Sequence, residues 1–149
     1  MDRQRIGRVV AIAIRTAVRG PMQEVSCADA VTNGGLEGDI PSSPDRGITF
    51  LAKGDWSDVT RQLQADLPWH TRRANVLIDI DTLGHLIGKQ VSIGLVEVAI
   101  TGETKPCGLM DSLHAGLKNA LKPNCRAGVH GHVLQSGTIR VGDEIYLNT

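Results

Sequence analysis

Apolar residues fall along this chain mainly in short alternating runs rather than in long helical stripes. Residues 6–14 set Val9, Val10, Ile12 and Ile14 in a β-rich segment that Arg19-Gly20-Pro21 closes, which predicts a first strand. Between residues 21 and 47 the pattern lapses. Asn33-Gly34-Gly35-Leu36-Glu37-Gly38-Asp39 and Pro41-Ser42-Ser43-Pro44 predict a loop in which glycine permits positive φ and close backbone approach. Residues 48–51 predict a short strand, after which Asp55 reads as the N-cap of a helix to about Ala65, packing through Trp56, Val59, Leu63 and Leu67. Strands are expected over residues 75–79 and 89–100. The second alternates at Val91, Ile93 and Leu95, with Gly88 and Gly94 as bulge or turn points. A helix over residues 111–121 would be capped by Asp111, striped by Leu113, Leu117 and Leu121, and stopped by Pro123. The C-terminal third reads as a hairpin of strands 127–134, 138–141 and 144–147, with turns at Ser136-Gly137 and Gly142-Asp143. The sum is a mainly β, α+β fold, strand-rich and barrel-like, with two short helices.

A chain of 149 residues, with no repeat or linker, is expected to form a single domain spanning residues 1–149. Lys plus Arg and Asp plus Glu number 16 each, so no overall field draws nucleic acid or an anionic membrane, and any anion site must be local. Three cysteines, Cys27, Cys107 and Cys125, are an odd number, and Met1-Asp2-Arg3-Gln4-Arg5 leads into no long apolar run. A reduced, cytoplasmic protein with free thiols and neither nucleic-acid nor membrane partner is expected. Nothing in the sequence fixes its oligomeric state.

Cys107 stands out among the polar positions. It sits in Glu103-Thr104-Lys105-Pro106-Cys107-Gly108 at the end of an alternating segment, between a restricting proline and a permissive glycine. A free thiol with a pKa of about 8.5 is only a few per cent thiolate at neutral pH, and a drop of about two units would make most of it reactive. Lys105 and the N-terminus of the following helix favour such a drop, Asp111 opposes it, and a small buried hydrophobe is the alternative reading of the cysteine. Arg72 and Arg73 lie at a strand entrance, where alternation would send one to each face, and Arg126 beside Gly128 is a further cation able to grip phosphate or carboxylate. Cys107, His114, Cys125, His130 and His132 raise a zinc site, with His130 and His132 on one strand face, but the cysteines are far apart and no CxxC occurs. Phosphate-loop, GxSxG, HExxH and GxGxxG motifs are absent.

Several of these pieces recur together in a known order. They are Gly35-Leu36-Glu37-Gly38-Asp39, Arg46-Gly47-Ile48-Thr49, Thr71-Arg72-Arg73-Ala74-Asn75-Val76-Leu77-Ile78, Leu86-Ile87-Gly88 with Ile93-Gly94, and Pro106-Cys107. Arg126-Ala127-Gly128-Val129 and Gly137-Thr138-Ile139-Arg140-Val141-Gly142-Asp143-Glu144 follow. The set resembles the MOSC domain, named for the C-terminal domain of molybdenum-cofactor sulfurases. The resemblance implies a barrel-like domain with one essential cysteine, matched here by Cys107. It implies either sulfurtransferase-like carriage of sulfur as a Cys107 persulfide, or a molybdenum-cofactor-dependent activity in which the Cys107 sulfur ligates the metal. Arg72, Arg73, Asn75, Lys105 and Arg126 would then hold an anionic pterin, the molybdopterin phosphate.

Where relatives often place a basic residue and a histidine after the first motif, this chain has Ile40-Pro41. No pyridoxal-phosphate desulfurase domain is expected in this chain, so a cysteine desulfurase or other sulfur donor would be a partner. Cys125 would resolve a persulfide or form a disulfide with Cys107 if their Cα atoms lie within about 7 Å. Two other classes stay open: a non-catalytic module that binds a small anion or a protein, and a small zinc-binding protein.

Overall fold

The longest apolar run forms the spine of the fold. In the computed structural model, which describes residues 3–41 and 43–148, β1 spans Arg3–Arg15 and outruns the apolar core of its sequence. Met1, Asp2, Ser42 and Thr149 lie outside the described residues. The added polar positions of β1 pair across to the last strand, where Arg5 meets Glu144 at 3.0 Å and Arg3 stacks on the Tyr146 ring.

Residues 21–47, expected to be irregular, contain two short strands, β2 (Met22–Val25) and β3 (Cys27–Ala30), and a 3-10 turn at Pro44–Arg46. Four-residue strands with half of their side chains exposed leave too few apolar positions for alternation to show. Close approach by glycine does occur here: a Cβ on Gly35 would lie 2.3 Å from the Gly47 carbonyl oxygen, so the loop crosses itself backbone to backbone.

Next come β4 (Ile48–Ala52), α1 (Lys53–Leu63) and β5 (Val76–Ile78). β4 and β5 pair in parallel across the α1 crossover, and all of their residues are buried. Ile48, Phe50, Val76 and Ile78 point into the barrel, while Leu51 and Leu77 join an outer layer with Trp56 and Val59 of α1. Burial on two faces gives these strands their continuous apolar text. The helix begins directly after Ala52 rather than at Asp55, which falls inside the first turn and supplies no cap.

The run at residues 89–100 is two strands, β6 (Gln90–Ile93) and β7 (Val96–Glu103), hinged at Gly94 with φ +59°. Leu95 occupies the turn and is 73% exposed, outside the alternation. The helix expected over residues 111–121 breaks into α2 (Leu109–Leu113) and α3 (Leu117–Leu121) around Gly116, whose φ of +86° cannot continue a helix. Asp111 does act near a helix start, but at α3, where it accepts the Lys118 N–H at 2.9 Å.

β8 (Val129–Gln135), β9 (Gly137–Arg140) and β10 (Glu144–Asn148) complete the chain without forming a hairpin. Both edges of β8 are taken by β7 and β4, so β9 pairs with β3 as a small second sheet, and β10 inserts between β1 and β6. The strand order β10-β6-β7-β8-β4-β5-β1, with β1 returning to β10, closes a seven-stranded barrel, and β2 extends one edge. Its lumen is filled by Ile12, Phe50, Ile93, Ile145 and their neighbours, each such side chain contributing about 1.5–3 kcal/mol. Among the described residues no helix is long and apolar enough to cross a membrane.

Asp55 is 2% exposed and its Oδ2 has no hydrogen-bond partner. Burial, with Asp58 and Asp81 adding to it against Arg126, lifts its carboxyl from 3.8 to about 6. The folded protein therefore holds this proton more tightly than the unfolded chain, and stability falls as pH rises from about 4 to about 6, then levels. Asp55→Asn is expected to stabilise the protein above pH 6 by up to about 3 kcal/mol and to flatten that decline, as read by urea titrations across the pH range. An unchanged pH profile would refute the assignment.

Candidate functional site

β7 ends at Glu103, and the chain continues its ladder for one more step: Thr104 N–H donates to the Gly128 carbonyl at 2.9 Å. On its other side Gly128 lies against the β4 backbone: its φ is +101° and a Cβ there would collide with the Phe50 carbonyl oxygen, so the position takes only glycine. Beyond Thr104 the backbone leaves the barrel through Lys105 and Pro106, and Cys107 turns the chain into α2 through its carbonyl, which accepts the Met110 N–H at 3.0 Å. Cys107 is exposed.

Facing this segment is a 3-10 turn, Trp69–Arg72, with Arg73 after it at φ +67°. The arginine pair therefore stands on a turn and not on a strand, and both side chains reach the same place. Arg72 is 6% exposed; its Nε donates to the Ala127 carbonyl at 2.9 Å and its Nη2 to the Thr104 carbonyl at 3.0 Å. Its Nη1 faces only the Met110 sulfur, at 3.9 Å. Among the described residues no carboxylate forms an ion pair with it. Burial pulls its pKa down to about 10, Cys107 acts to raise it, and Arg46 and Arg15 lower it further. Arg73 is lowered by burial and by Arg15, against Asp39 and Cys107, and it donates to the carbonyls of Gly20 and Ala17. The Cys107 sulfur thus lies within electrostatic reach of both arginines.

These groups line a cavity of about 340 Å³ together with Arg15, Arg19, Arg46 and Lys105, and among the described residues no Asp or Glu belongs to its wall. Six cations converge on one concavity of a protein with no net charge. Asp39, buried beside it, binds Arg15 at 2.8 Å and fixes that side chain. The glycine-rich loop thus serves the site chiefly by presenting Asp39, and Ile40 lines the wall. Thr104 is also on the wall, and its buried Oγ1 has no hydrogen-bond partner.

Of the residues singled out from sequence, Arg72, Arg73, Lys105 and Cys107 come together, whereas Asn75 and Arg126 are not among the lining residues. Asn75 is fully buried beneath the site, accepting from Thr49 N–H at 3.0 Å and donating to the Ala13 carbonyl at 3.2 Å, which ties β1, β4 and β5. Arg126 is engaged elsewhere, with Gln62 at 2.8 Å and the Ala120 carbonyl. Arg15, Arg19 and Arg46 were missed. Arg46 stood in the quoted Arg46-Gly47-Ile48-Thr49 motif, but nothing local marks Arg15 or Arg19.

No disulfide joins the three cysteines. Cys125 packs against Gly84, and burial, Glu103 and Asp55 push its thiol up, which disfavours it as a nucleophile. Among the described residues no three His, Cys, Asp or Glu side chains converge as a metal site. His130 Nδ1 instead pairs with Thr101 Oγ1 at 2.9 Å, and His132 Nε2 with Asn33 Oδ1 at 2.6 Å.

Residues 37–146 match the MOSC domain family. Among solved structures the chain is similar to the YUAD protein from Bacillus subtilis, with TM-score 0.82 and 15% identity over 98% of this chain and 97% of that one. It is also similar to YiiM from Escherichia coli, at TM-score 0.73 and 16% identity over 95% of this chain and 70% of that one. YiiM from Geobacillus stearothermophilus gives TM-score 0.71 and 14% identity over 99% and 76%. At these identities the likeness concerns the fold. No curated protein matches the chain.

Arg72→Lys keeps the charge and loses the fork that joins two carbonyls. It is expected to lower stability by about 2–3 kcal/mol in urea titration and to speed hydrogen exchange at the Thr104 amide. A variant as stable and as protected as the parent would show that this tie does not hold the Cys107 segment.

Proposed function

The chain belongs to the MOSC domain family, and from that premise we propose that its cavity binds a molybdenum-containing pterin cofactor, with Cys107 supplying a sulfur ligand to the metal. The observation that carries this reading is the gathering of Arg15, Arg19, Arg46, Arg72, Arg73 and Lys105 around an exposed cysteine, with Arg15 held in an ion pair by Asp39. A thiol that only ferried sulfur would need exposure; it would not need a concave anion site of this size. A phosphate monoester carries close to two negative charges at neutral pH, and arginine forks bind it bidentately.

The residues present fit such a group. Arg72 is a buried guanidinium whose only ionisable counterpart among its named neighbours is the Cys107 thiol, and Thr104 Oγ1 is an orphaned donor on the same wall. Arg46, Arg73 and Lys105 would hold the phosphate, Arg15 being kept in place by Asp39. A thiolate is a soft ligand suited to molybdenum. When bound, the cofactor would supply a metal centre for two-electron redox chemistry. The chain itself would bind and orient it and keep anions other than the cofactor in competition for one cavity.

The exposure of Cys107 also favours a second reading, carriage of sulfur. The Cys107 thiolate would attack the terminal sulfur of a donor's persulfide, such as that of a cysteine desulfurase. A new S–S bond would form at Cys107 while the donor's S–S bond breaks, and the donor thiolate would leave and take a proton.

Two measurements separate the readings. Protein purified from cells able to make the cofactor is expected to carry molybdenum and oxidisable pterin in equal amounts. Cys107→Ser should lose molybdenum, and an Arg73→Ala, Lys105→Ala double variant should lose both. Absence of pterin from the parent protein would refute the cofactor reading. If incubation with a cysteine desulfurase and cysteine then adds one sulfur to the parent protein and none to Cys107→Ser, the carrier reading replaces it.

A further inference from the structure

Behind the cavity, residues 123–128 run from the end of α3 to the start of β8 and carry what holds the Cys107 wall. The Ala127 carbonyl accepts from Arg72 Nε and the Gly128 carbonyl from Thr104 N–H, each at 2.9 Å. This segment begins as a 3-10 turn, Pro123–Cys125, in which Asn124 and Cys125 are both left-handed, with φ +55° and +57°. The conformation costs on the order of 1–2 kcal/mol for a residue with a side chain, less for asparagine. Arg126 N–H donates to the Pro123 carbonyl and Gly128 N–H to the Cys125 carbonyl, each at 3.0 Å. A turn under such strain changes arrangement for a small difference in energy.

The same segment faces a buried acid. Asp55 Oδ2, on α1, has no hydrogen-bond partner, and its carboxyl keeps a proton up to about pH 6. Burial is the first cause, and Asp58 of the same helix and Asp81 beyond β5 add to it. Among the charges that act on Asp55, Arg126 alone is positive. Cys125, beside Arg126, feels Asp55 too, together with Glu103 from the end of β7. Arg126 reaches Gln62 Oε1 at 2.8 Å and the Ala120 carbonyl at 3.3 Å, both through Nη1. Among the described residues its Nε and Nη2 make no hydrogen bond. An Asp55 that loses its proton therefore meets one cation with donors to spare, on the segment that carries the Ala127 carbonyl.

We propose that Asp55 and Arg126 form a proton-controlled latch behind the cavity. With Asp55 protonated, residues 123–128 keep the Arg72 fork in register. With Asp55 ionised, the Arg126 fork turns to the carboxylate, draws the 126–127 peptide toward α1 and loosens the bond between Ala127 and Arg72. Arg126 is then a positioning residue for the cavity and not one of its ligand contacts. The protonated form prevails at low pH, so the cavity holds an anion more tightly below the step than above it. That consequence rests on the proposed anion site, whereas the movement of the latch does not.

The test uses the full chain, isotope-labelled for NMR, in the Cys107→Ser background so that no thiol titrates at the cavity. Sulfate serves as the anion because its charge is constant across the range. The Thr104 and Gly128 amide resonances are expected to move together in one step with a midpoint near pH 6. Asp55→Asn should flatten that step. Arg126→Gln should abolish it at Thr104 while the Asp55 carboxyl carbon still titrates, a separation that a merely structural role would not produce. Sulfate is expected to bind roughly fivefold more tightly at about pH 5 than at about pH 8, and Asp55→Asn should recover most of that affinity at the higher pH. A Thr104 amide that ignores pH, or a step that persists in Asp55→Asn or in Arg126→Gln, overturns the latch. In Asp55→Asn another group would be titrating, and in Arg126→Gln the carboxylate would be acting through space. Equal sulfate affinity at both pH values refutes control of the cavity. If the step occurs and sulfate binds at neither pH, the latch stands and the anion site of the proposed function falls.

Discussion

One buried guanidinium holds the candidate site together. Arg72 bridges the carbonyls of Thr104 and Ala127, where two neighbouring barrel segments part, and among the described residues it does so with no carboxylate as counter-ion. Taking a guanidinium out of water without a paired anion is unfavourable, and the pKa of about 10 records that. The tie persists because two carbonyls that have left the regular ladder need donors, and one rigid fork satisfies both. The departure of the chain toward Cys107, the start of α2 and the wall of the cavity all follow from it.

Around that centre the protein separates roles among residues of like type. Arg15 is neutralised and oriented by Asp39, whereas Arg73 is anchored to backbone carbonyls and forms no ion pair among the described residues. Asn75 does not face the cavity but holds β1, β4 and β5 in register under it. Charge of one sign is thereby gathered at a single concavity although the whole molecule balances. A local field of this kind concentrates anions where a global one is lacking.

Much of the barrel was legible in the sequence because strands that bury one or both faces write alternation or unbroken apolar runs. β4 and β5 show this, whereas β6 and β7 were merged into one run because the turn at Gly94-Leu95 carries an apolar residue. The short strands β2 and β3 did not show it, since four residues each leave no run for a pattern to show, and the partner of β9 could not be read from its neighbour in sequence because β8 was already paired on both edges. Gly116 looked like one residue of a helix until its positive φ divided it. At the site, Cys107 and Lys105 were legible from local chemistry and Arg72 and Arg73 from a motif. The disposition of that pair was not, because a 3-10 turn with a left-handed end breaks the two-residue alternation on which the expectation rested. Arg15 and Arg19 reach the cavity through tertiary folding alone.

The barrel is closed by the pairing of β1 with β10, in which Arg3 lies opposite Asn148. During synthesis the first strand must therefore wait for the last: vectorial folding from the N-terminus can collapse the parallel β4–β5 unit early, but it cannot seal the cylinder. A topology dominated by such distant pairings folds slowly. The same geometry brings the two ends of the described chain side by side, so a short peptide joining them, with new termini cut at the exposed Gly94-Leu95 turn, would relocate the seam without altering a single strand pairing.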